Sequence, residues 1–175
     1  MPREQNKVAD SLSRYVDDDD WSISEDVFAS IDKVWGAHTV DRFASNYNTK
    51  CVVFNSKFWC PGTAAVDAFS QAWGGVNNWL VPPPNVILRV LKKMRIDRAK
   101  GTLVVPMWRS APFWPCIKPN GINFASFICS SIVLPRDGII VKGQGRNGIF
   151  NGINPLKFSM VALRVDYSNF DGEKE

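Results

Sequence analysis

Four blocks follow one another in this chain: Val40-Asp41-Arg42-Phe43-Ala44-Ser45, Val66-Asp67-Ala68-Phe69 leading to Trp73, Asn78-Trp79-Leu80-Val81-Pro82-Pro83-Pro84, and Leu103-Val104-Val105-Pro106. Three of them set an apolar, strand-forming stretch before an acidic or proline-rich turn. An open α/β sheet presents side chains in that way, at the carboxyl ends of its strands, where ligands bind. Strands are predicted at 39–43, 51–54, 79–81 and 102–106, all rich in Val, Phe or Trp. Between the last two, Val86, Ile87, Val90, Leu91 and Met94 fall on one helical face, with Asn85 placed to cap it. Strand, helix, strand in that order requires a parallel, right-handed crossover. Segments 39–43, 79–81 and 102–106 should therefore be neighbours in one mostly parallel sheet, with that helix on one face. A short proline-bounded helix is expected near 110–117. Strands are expected near 126–134, 138–142 and 158–165, the last two pairing as an antiparallel ribbon.

Length and composition fit one core. With 175 residues, 45% hydrophobic and 22% charged, the chain suits a single domain better than two. The helical spacing of Val8, Leu12, Tyr15 and Val16 runs into Asp17-Asp18-Asp19-Asp20, which marks residues 1–20 as a helix plus an acidic linker. Ser22-Ile23-Ser24-Glu25 reads as a capping box opening the main domain over 21–167, with Ser22 as N-cap and Val27, Phe28, Ile31 and Trp35 as the buried stripe. Residues 168–175 read as a disordered tail.

The formal charge of +4 is unevenly distributed. The first 32 residues hold nine acids against three bases, leaving the rest near +10. Lys92, Lys93, Arg95, Arg98 and Lys100 crowd together, Arg109 follows Trp108, and Lys142 and Arg146 flank a glycine-containing loop. Such a body suits a polyanion such as nucleic acid, bound with little sequence preference. A solvated helix face is the other reading of the cluster.

Other chemistry finds little footing. Cys51, Cys60, Cys116 and Cys129 form no C-x-x-C pair and His38 is the only histidine, so no metal site is expected. The cysteines read as reduced thiols of an intracellular protein, in cytoplasm or nucleus. No apolar run of about 18 residues points to a membrane. Gly143-Gln144-Gly145-Arg146-Asn147-Gly148 satisfies G-x-G-x-x-G by letter, but the Asn-Gly pairs and Pro155 prevent the helix that a dinucleotide fingerprint needs. Trp73, Trp79, Trp108, Trp114 and Phe113 could stack on bases, yet they lie in apolar runs that fit a core better.

The ordered set of motifs resembles two neighbouring domains of DIRS-like, tyrosine-recombinase retrotransposon polyproteins. Asn6-Lys7-Val8-Ala9-Asp10-Ser11-Leu12-Ser13-Arg14 resembles the closing helix of their ribonuclease H domain, where Asp10 matches the last metal-binding carboxylate. One carboxylate cannot hold a two-metal site, and a Met falling inside such a domain fits a fragment or derived copy of a longer polyprotein. Residues 21 to about 167 resemble the domain that follows, itself similar to phage-type DNA adenine-N6 methyltransferases. The resemblance implies a Rossmann-like α/β sheet with helices on its faces and an antiparallel C-terminal strand pair. It also implies S-adenosylmethionine contacts at Asp41, Ala44 and Asp67. From the residues alone, Asp41 could equally cap a turn or pair with Arg42 or Lys50, and Asp67 fits a helix cap.

Methyl transfer to an exocyclic amine needs acceptors for that amine and an aromatic ring against the flipped base. Here the tetrapeptide is Val81-Pro82-Pro83-Pro84. Valine accepts no hydrogen bond and proline offers no π-face, so two of the three functions are missing; Asn77 and Asn78 lie out of register. The expected function is a catalytically silent domain that binds nucleic acid or docks to reverse transcriptase and ribonuclease H, with no resident cofactor. A DNA adenine-N6 methyltransferase using S-adenosylmethionine is the alternative.

Overall fold

The computed structural model describes residues 21–142, 150 and 154–169. Among these residues the strands and α-helices follow in the order β1 (Trp21–Ile23), α1 (Glu25–Trp35), β2 (Val40–Asp41), β3 (Val53–Ser56), β4 (Ala65–Val66), β5 (Asn77–Leu80), α2 (Ile87–Ile96), β6 (Lys100–Pro106), α3 (Trp114–Ile117), β7 (Ile128–Val133), β8 (Ile140–Lys142) and β9 (Met160–Asp166). Seven strands form one sheet in the order β4-β3-β2-β5-β6-β9-β7. The run from β4 to β6 is parallel, and β9 lies antiparallel to both β6 and β7. A separate antiparallel pair joins β1 to β8. The fold is thus mixed α/β, and the predicted neighbours 39–43, 79–81 and 102–106 are β2, β5 and β6.

Alternation along the strands divides the core between two faces. Leu80, Leu103, Val105, Leu163 and Val165 pack with Ile87, Val90, Leu91 and Met94 of α2 and with Trp114 and Ile117 of α3. The intervening residues Trp79, Val81, Val104, Met160 and Ala162 pack on the other face with Trp21 and Ile23 of β1, Ile31 of α1, and Phe150 and Leu156. Residues one apart on β5 therefore serve different layers, which fixes the register of the whole sheet.

Several expectations need correction. Strand β8 pairs with β1 rather than with β9, because β6 and β7 already take both edges of β9. Ser22 lies in β1, and Ser24 is the N-cap of α1, accepting from the Val27 amide at 3.5 Å. Pairing of residues 21–23 with β8 moves the helix start two residues on. Asn85 does not cap α2; it sits inside a 3₁₀ turn, Pro84–Val86, and Val86 stands at the N-cap with no side-chain bond. The helix expected over 110–117 forms only at Trp114–Ile117. The segments 1–20 and 170–175 lie outside the described residues. Among the described residues no helix is long and apolar enough to cross a membrane.

Candidate functional site

The order of the large sheet reverses between β2 and β5: from β2 the chain builds outward through β3 and β4, then returns to β5 and β6. At such a switch point the loops leave in opposite directions and open a crevice at the carboxyl ends of the strands. A cavity of about 370 Å³ lies there, within the usual size for small-ligand sites. Arg42, Phe43 and Ala44 line it from the end of β2, Ser56 and Lys57 from β3, and Asp67, Ala68 and Phe69 from β4. Val81, Pro83, Asn85 and Val86 come from the turn after β5, Arg89 from the first turn of α2, and Trp21 from β1.

The floor is held by a buried arginine. Arg42 donates from Nε to Asn78 Oδ1 (2.8 Å), from Nη1 to Asn55 Oδ1 (2.8 Å) and from Nη2 to the Ala72 carbonyl (3.0 Å). Its guanidinium also lies 5.7 Å from the Trp73 ring. Burial lowers its pKa to about 10, and Asp97 partly offsets that shift, so it remains charged at neutral pH. Asn78, fully buried, donates in turn to the carbonyls of Trp73 (2.9 Å) and Lys100 (2.8 Å). Arg42 and Asn78 thereby tie β2, β3, β5 and β6 together beneath the crevice. Gly101 is required beside Asn78: a Cβ there would lie 2.5 Å from the Asn78 carbonyl oxygen.

The aromatic wall is Phe43 and Phe69, with centroids 5.6 Å apart and packed against Trp73. Arg89 stacks over Phe69 with its guanidinium carbon 4.0 Å from the centroid. Asp67 adopts a left-handed φ of 64° and caps the 3₁₀ turn Ala68–Ser70, accepting from the Phe69 amide (3.1 Å) and the Ser70 hydroxyl (2.8 Å). Both of its carboxylate oxygens serve that turn, as the cap reading expects.

The proline tetrapeptide closes one side. Val81 and Pro82 are buried. The Pro82 carbonyl accepts a hydrogen bond from Trp21 Nε1 at 3.2 Å. Trp21 itself is buried edge-on against Phe150, with centroids 4.8 Å apart. The Pro82 carbonyl therefore already carries one hydrogen bond, from the indole.

The other sequence-selected residues separate into groups. Ala44 and Asp67 reach the cavity; Asp41 does not line it, and its Oδ2 accepts from the Lys50 amide at 2.9 Å. Asn77 and Asn78 bond to backbone and to Arg164 or Arg42 at the far end of β5. Lys92, Arg95, Arg98 and Lys100 are exposed, whereas Lys93 is mostly covered and pairs with Asp97 at 2.9 Å. This cluster descends α2 away from the crevice. Ten helical residues span about 15 Å, so Arg98 and Lys100 sit at the opposite end of the sheet from Arg89. Arg109 is exposed beyond the carboxyl end of β6. Trp73, Trp79, Trp114 and Phe113 are core, and Trp108 packs against Phe150 and Phe158. Asp10, Arg146 and the glycine loop lie outside the described residues, and Lys142 ends β8.

Sequence reasoning missed Trp21, Phe43, Lys57, Phe69 and Arg89 as site residues. Phe43 and Phe69 stood inside the quoted motifs; the signal was their shared position just past two parallel strands. Arg89 was detectable as a polar residue one turn into a helix whose apolar face points elsewhere.

A second polar cluster lies under the sheet. His38 Nδ1 bonds Asp32 Oδ1 at 2.8 Å and Nε2 meets Thr102 Oγ1 at 2.7 Å. Burial lowers the His38 pKa despite Asp32, so neutral His38 donates from Nδ1 and accepts the Thr102 hydroxyl proton at Nε2. Burial also raises Asp32, but the His38 bonds outweigh it and leave that carboxyl below 3.8. Burial, followed by Asp41 and Asp32, pushes the Cys51 thiol up to about 12, which makes it unreactive. Among the described residues no cluster of three or more His, Cys, Asp or Glu could hold a metal ion.

A scan against protein-family models finds no match, and neither does a search of curated proteins.

Proposed function

We propose that this chain is a retrotransposon-derived relative of phage-type adenine-N6 methyltransferases that is catalytically silent and binds nucleic acid with little sequence preference. Numbered from β2, the large sheet runs 3-2-1-4-5-7-6 with strand 7 reversed. That order supports the Rossmann-like sheet and the antiparallel C-terminal strands implied by the resemblance, and the cavity at the switch point supports an ancestral ligand crevice. The observation that carries the silent reading is the Val81-Pro82-Pro83-Pro84 turn after β5, which borders the cavity through Val81 and Pro83. Val81 offers no acceptor and Pro84 no ring, so two of the three groups that would hold a target base are absent, and the Trp21 indole takes one lone pair of the Pro82 carbonyl.

The residues also fit S-adenosylmethionine poorly. Asp41 turns to the Lys50 amide, Asp67 serves its own turn, and the residues ending β3 are Ser56 and Lys57 rather than an acid. The methyltransferase alternative retains the sheet order and the position of the cavity in its favour.

Nucleic-acid binding is assigned to the exposed cations Lys92, Arg95, Arg98 and Lys100, with Arg109, Lys142 and Arg146 as further candidates. Docking to reverse transcriptase or ribonuclease H would use the same charged face. Fluorescence anisotropy of a labelled single strand, titrated between about 50 and 200 mM salt, tests this reading: affinity falls steeply as counterions return. Replacing Lys92 and Arg95 by Ala lowers the salt slope by about 2. Full affinity in that double variant would show a solvated helix face instead.

A further inference from the structure

Charge decides what the crevice cavity accepts. Among the described residues its wall carries Arg42, Lys57 and Arg89 against one carboxylate, Asp67. Arg42 is committed to Asn78, Asn55 and the Ala72 carbonyl and Asp67 to the Phe69 amide and the Ser70 hydroxyl, and the wall keeps a net positive charge, with Lys57 and Arg89 as its remaining cations. In doubly wound dinucleotide folds an acid past the second strand holds a ribose diol, while a basic residue nearby accommodates a phosphate. The second strand of the switch, β3, ends in Ser56 followed by Lys57. A sulfonium cofactor would bring a cation to a wall of the same sign.

The apolar part of the cavity has the other half of a nucleotide site. Phe43 and Phe69 lie 5.6 Å apart and tilted at 63°, so a planar base entering the cavity meets an aromatic corner formed by the two rings. Val81 and Val86 complete an apolar lining. Arg89 lies over Phe69 with its guanidinium carbon 4.0 Å from the centroid; a guanidinium held over a ring keeps N–H groups for bonds to a phosphate.

We propose that this cavity binds a nucleotide through base and phosphate together, the base against Phe43 and Phe69 and the phosphate at Arg89 and Lys57, in place of S-adenosylmethionine. The proposal rests on the reading above, that the domain handles nucleic acid without transferring methyl groups, and it names the unit bound. A free mononucleotide and the 5′-phosphorylated end of a strand present the same chemistry.

Isothermal titration of the full chain with adenosine 5′-monophosphate, adenosine and S-adenosylmethionine tests it. The monophosphate binds about tenfold tighter than adenosine, the worth of charge-assisted contacts to one phosphate, and S-adenosylmethionine binds no tighter than adenosine. Arg89→Ala weakens the monophosphate about tenfold and erases its advantage over adenosine. Phe69→Ala weakens monophosphate and adenosine alike, by about fivefold or more for a lost aromatic contact. Lys33→Ala, which removes an exposed cation from α1, leaves both unchanged. Competition by a 5′-phosphorylated oligonucleotide but not its 5′-hydroxyl counterpart assigns the site to strand ends; competition by neither assigns it to free nucleotide, and both results uphold a phosphate-reading cavity. Equal affinity for monophosphate and adenosine, preference for S-adenosylmethionine, no binding of the monophosphate, or an indifferent Arg89→Ala variant overturns it. If the monophosphate fails while an oligonucleotide still binds through Lys92 and Arg95, this inference falls and the nucleic-acid reading stands.

Discussion

Asn78→Leu should be among the most damaging single substitutions in the molecule, although it keeps the size of the residue. Asn78 is fully buried and makes three bonds of 2.8–2.9 Å, to Arg42 Nε and to the carbonyls of Trp73 and Lys100. Leucine deprives each partner of one bond in a place that water does not reach. A buried group left without its partner costs roughly 1–2 kcal/mol, and the charged donor sits at the upper end. The three together come to about 3–5 kcal/mol. For a chain of this size each kcal/mol moves the midpoint by roughly 2–4 °C, so Tm should fall by about 6–20 °C. Urea denaturation followed by tryptophan fluorescence measures the free energy, since Trp73 and Trp79 are both buried near Asn78. Arg42→Met alone should also destabilise, by stranding Asn78 and Asn55. The double variant Arg42→Met with Asn78→Leu should cost at least about 1 kcal/mol less than the sum of the two, because neither partner is then left behind. A loss under about 1 kcal/mol for Asn78→Leu, or strict additivity in the cycle, would refute the claim that this network holds the crevice floor.

Gly101→Ala should destabilise by about 1–3 kcal/mol through overpacking, read as a lower urea midpoint with unchanged slope, since its Cβ would meet the Asn78 carbonyl oxygen at 2.5 Å. Trp21→Phe should cost about 1–2 kcal/mol by leaving the Pro82 carbonyl without its donor, and melts of the two proteins side by side check it. Stability should rise with pH through the region below 6.5: His38 has a depressed pKa when folded, so the unfolded chain binds more protons there. That contribution is complete above 6.5 and is lost as pH falls toward the folded value. Asp32, also depressed, adds stability above 3.8 that disappears in stronger acid. In His38→Phe the slope near pH 6 should flatten, as measured by denaturation across pH 5 to 8.

Sheet order was legible wherever apolar runs alternated with turn residues. Strands β2, β5 and β6 and helix α2 follow from Val40-Asp41, Trp79-Leu80, Leu103-Val104-Val105 and the Val90, Leu91, Met94 stripe, because period 2 changes to period 3.6 and back between proline and glycine breaks. What escaped was long-range pairing. Trp21-Ser22-Ile23 is too short to announce a strand, and its partner Ile140-Val141-Lys142 lies at the other end of the chain. Once that pairing forms, Ser22 is unavailable as a cap and Ser24 takes over, although Ser22 with Glu25 matched the local pattern. Two-residue strands such as Ala65–Val66 carry no usable period at all.

The site was legible in chemistry but not in geometry. Val81 and Pro84 already marked a tetrapeptide short of an acceptor and a ring. That the Pro82 carbonyl is taken by an indole 61 residues away has no trace in local sequence. The basic cluster looked uniform along the chain, yet Lys93 is folded down onto Asp97 and Trp73 while Lys92 and Arg95 face outward. Helical phase made that distinction, and Asp97 decided it.

Labelled S-adenosylmethionine incubated with the full chain and single- or double-stranded DNA addresses the silent-site account most directly. Loss of a single electrostatic contact at a transfer site typically costs about 10²–10³ in rate, and here Val81 supplies no acceptor and Pro84 no ring. The account predicts label incorporation indistinguishable from a reaction without protein, in the native chain and in Trp21→Phe alike. Steady incorporation into adenine that increases with protein concentration would contradict it and restore the methyltransferase reading.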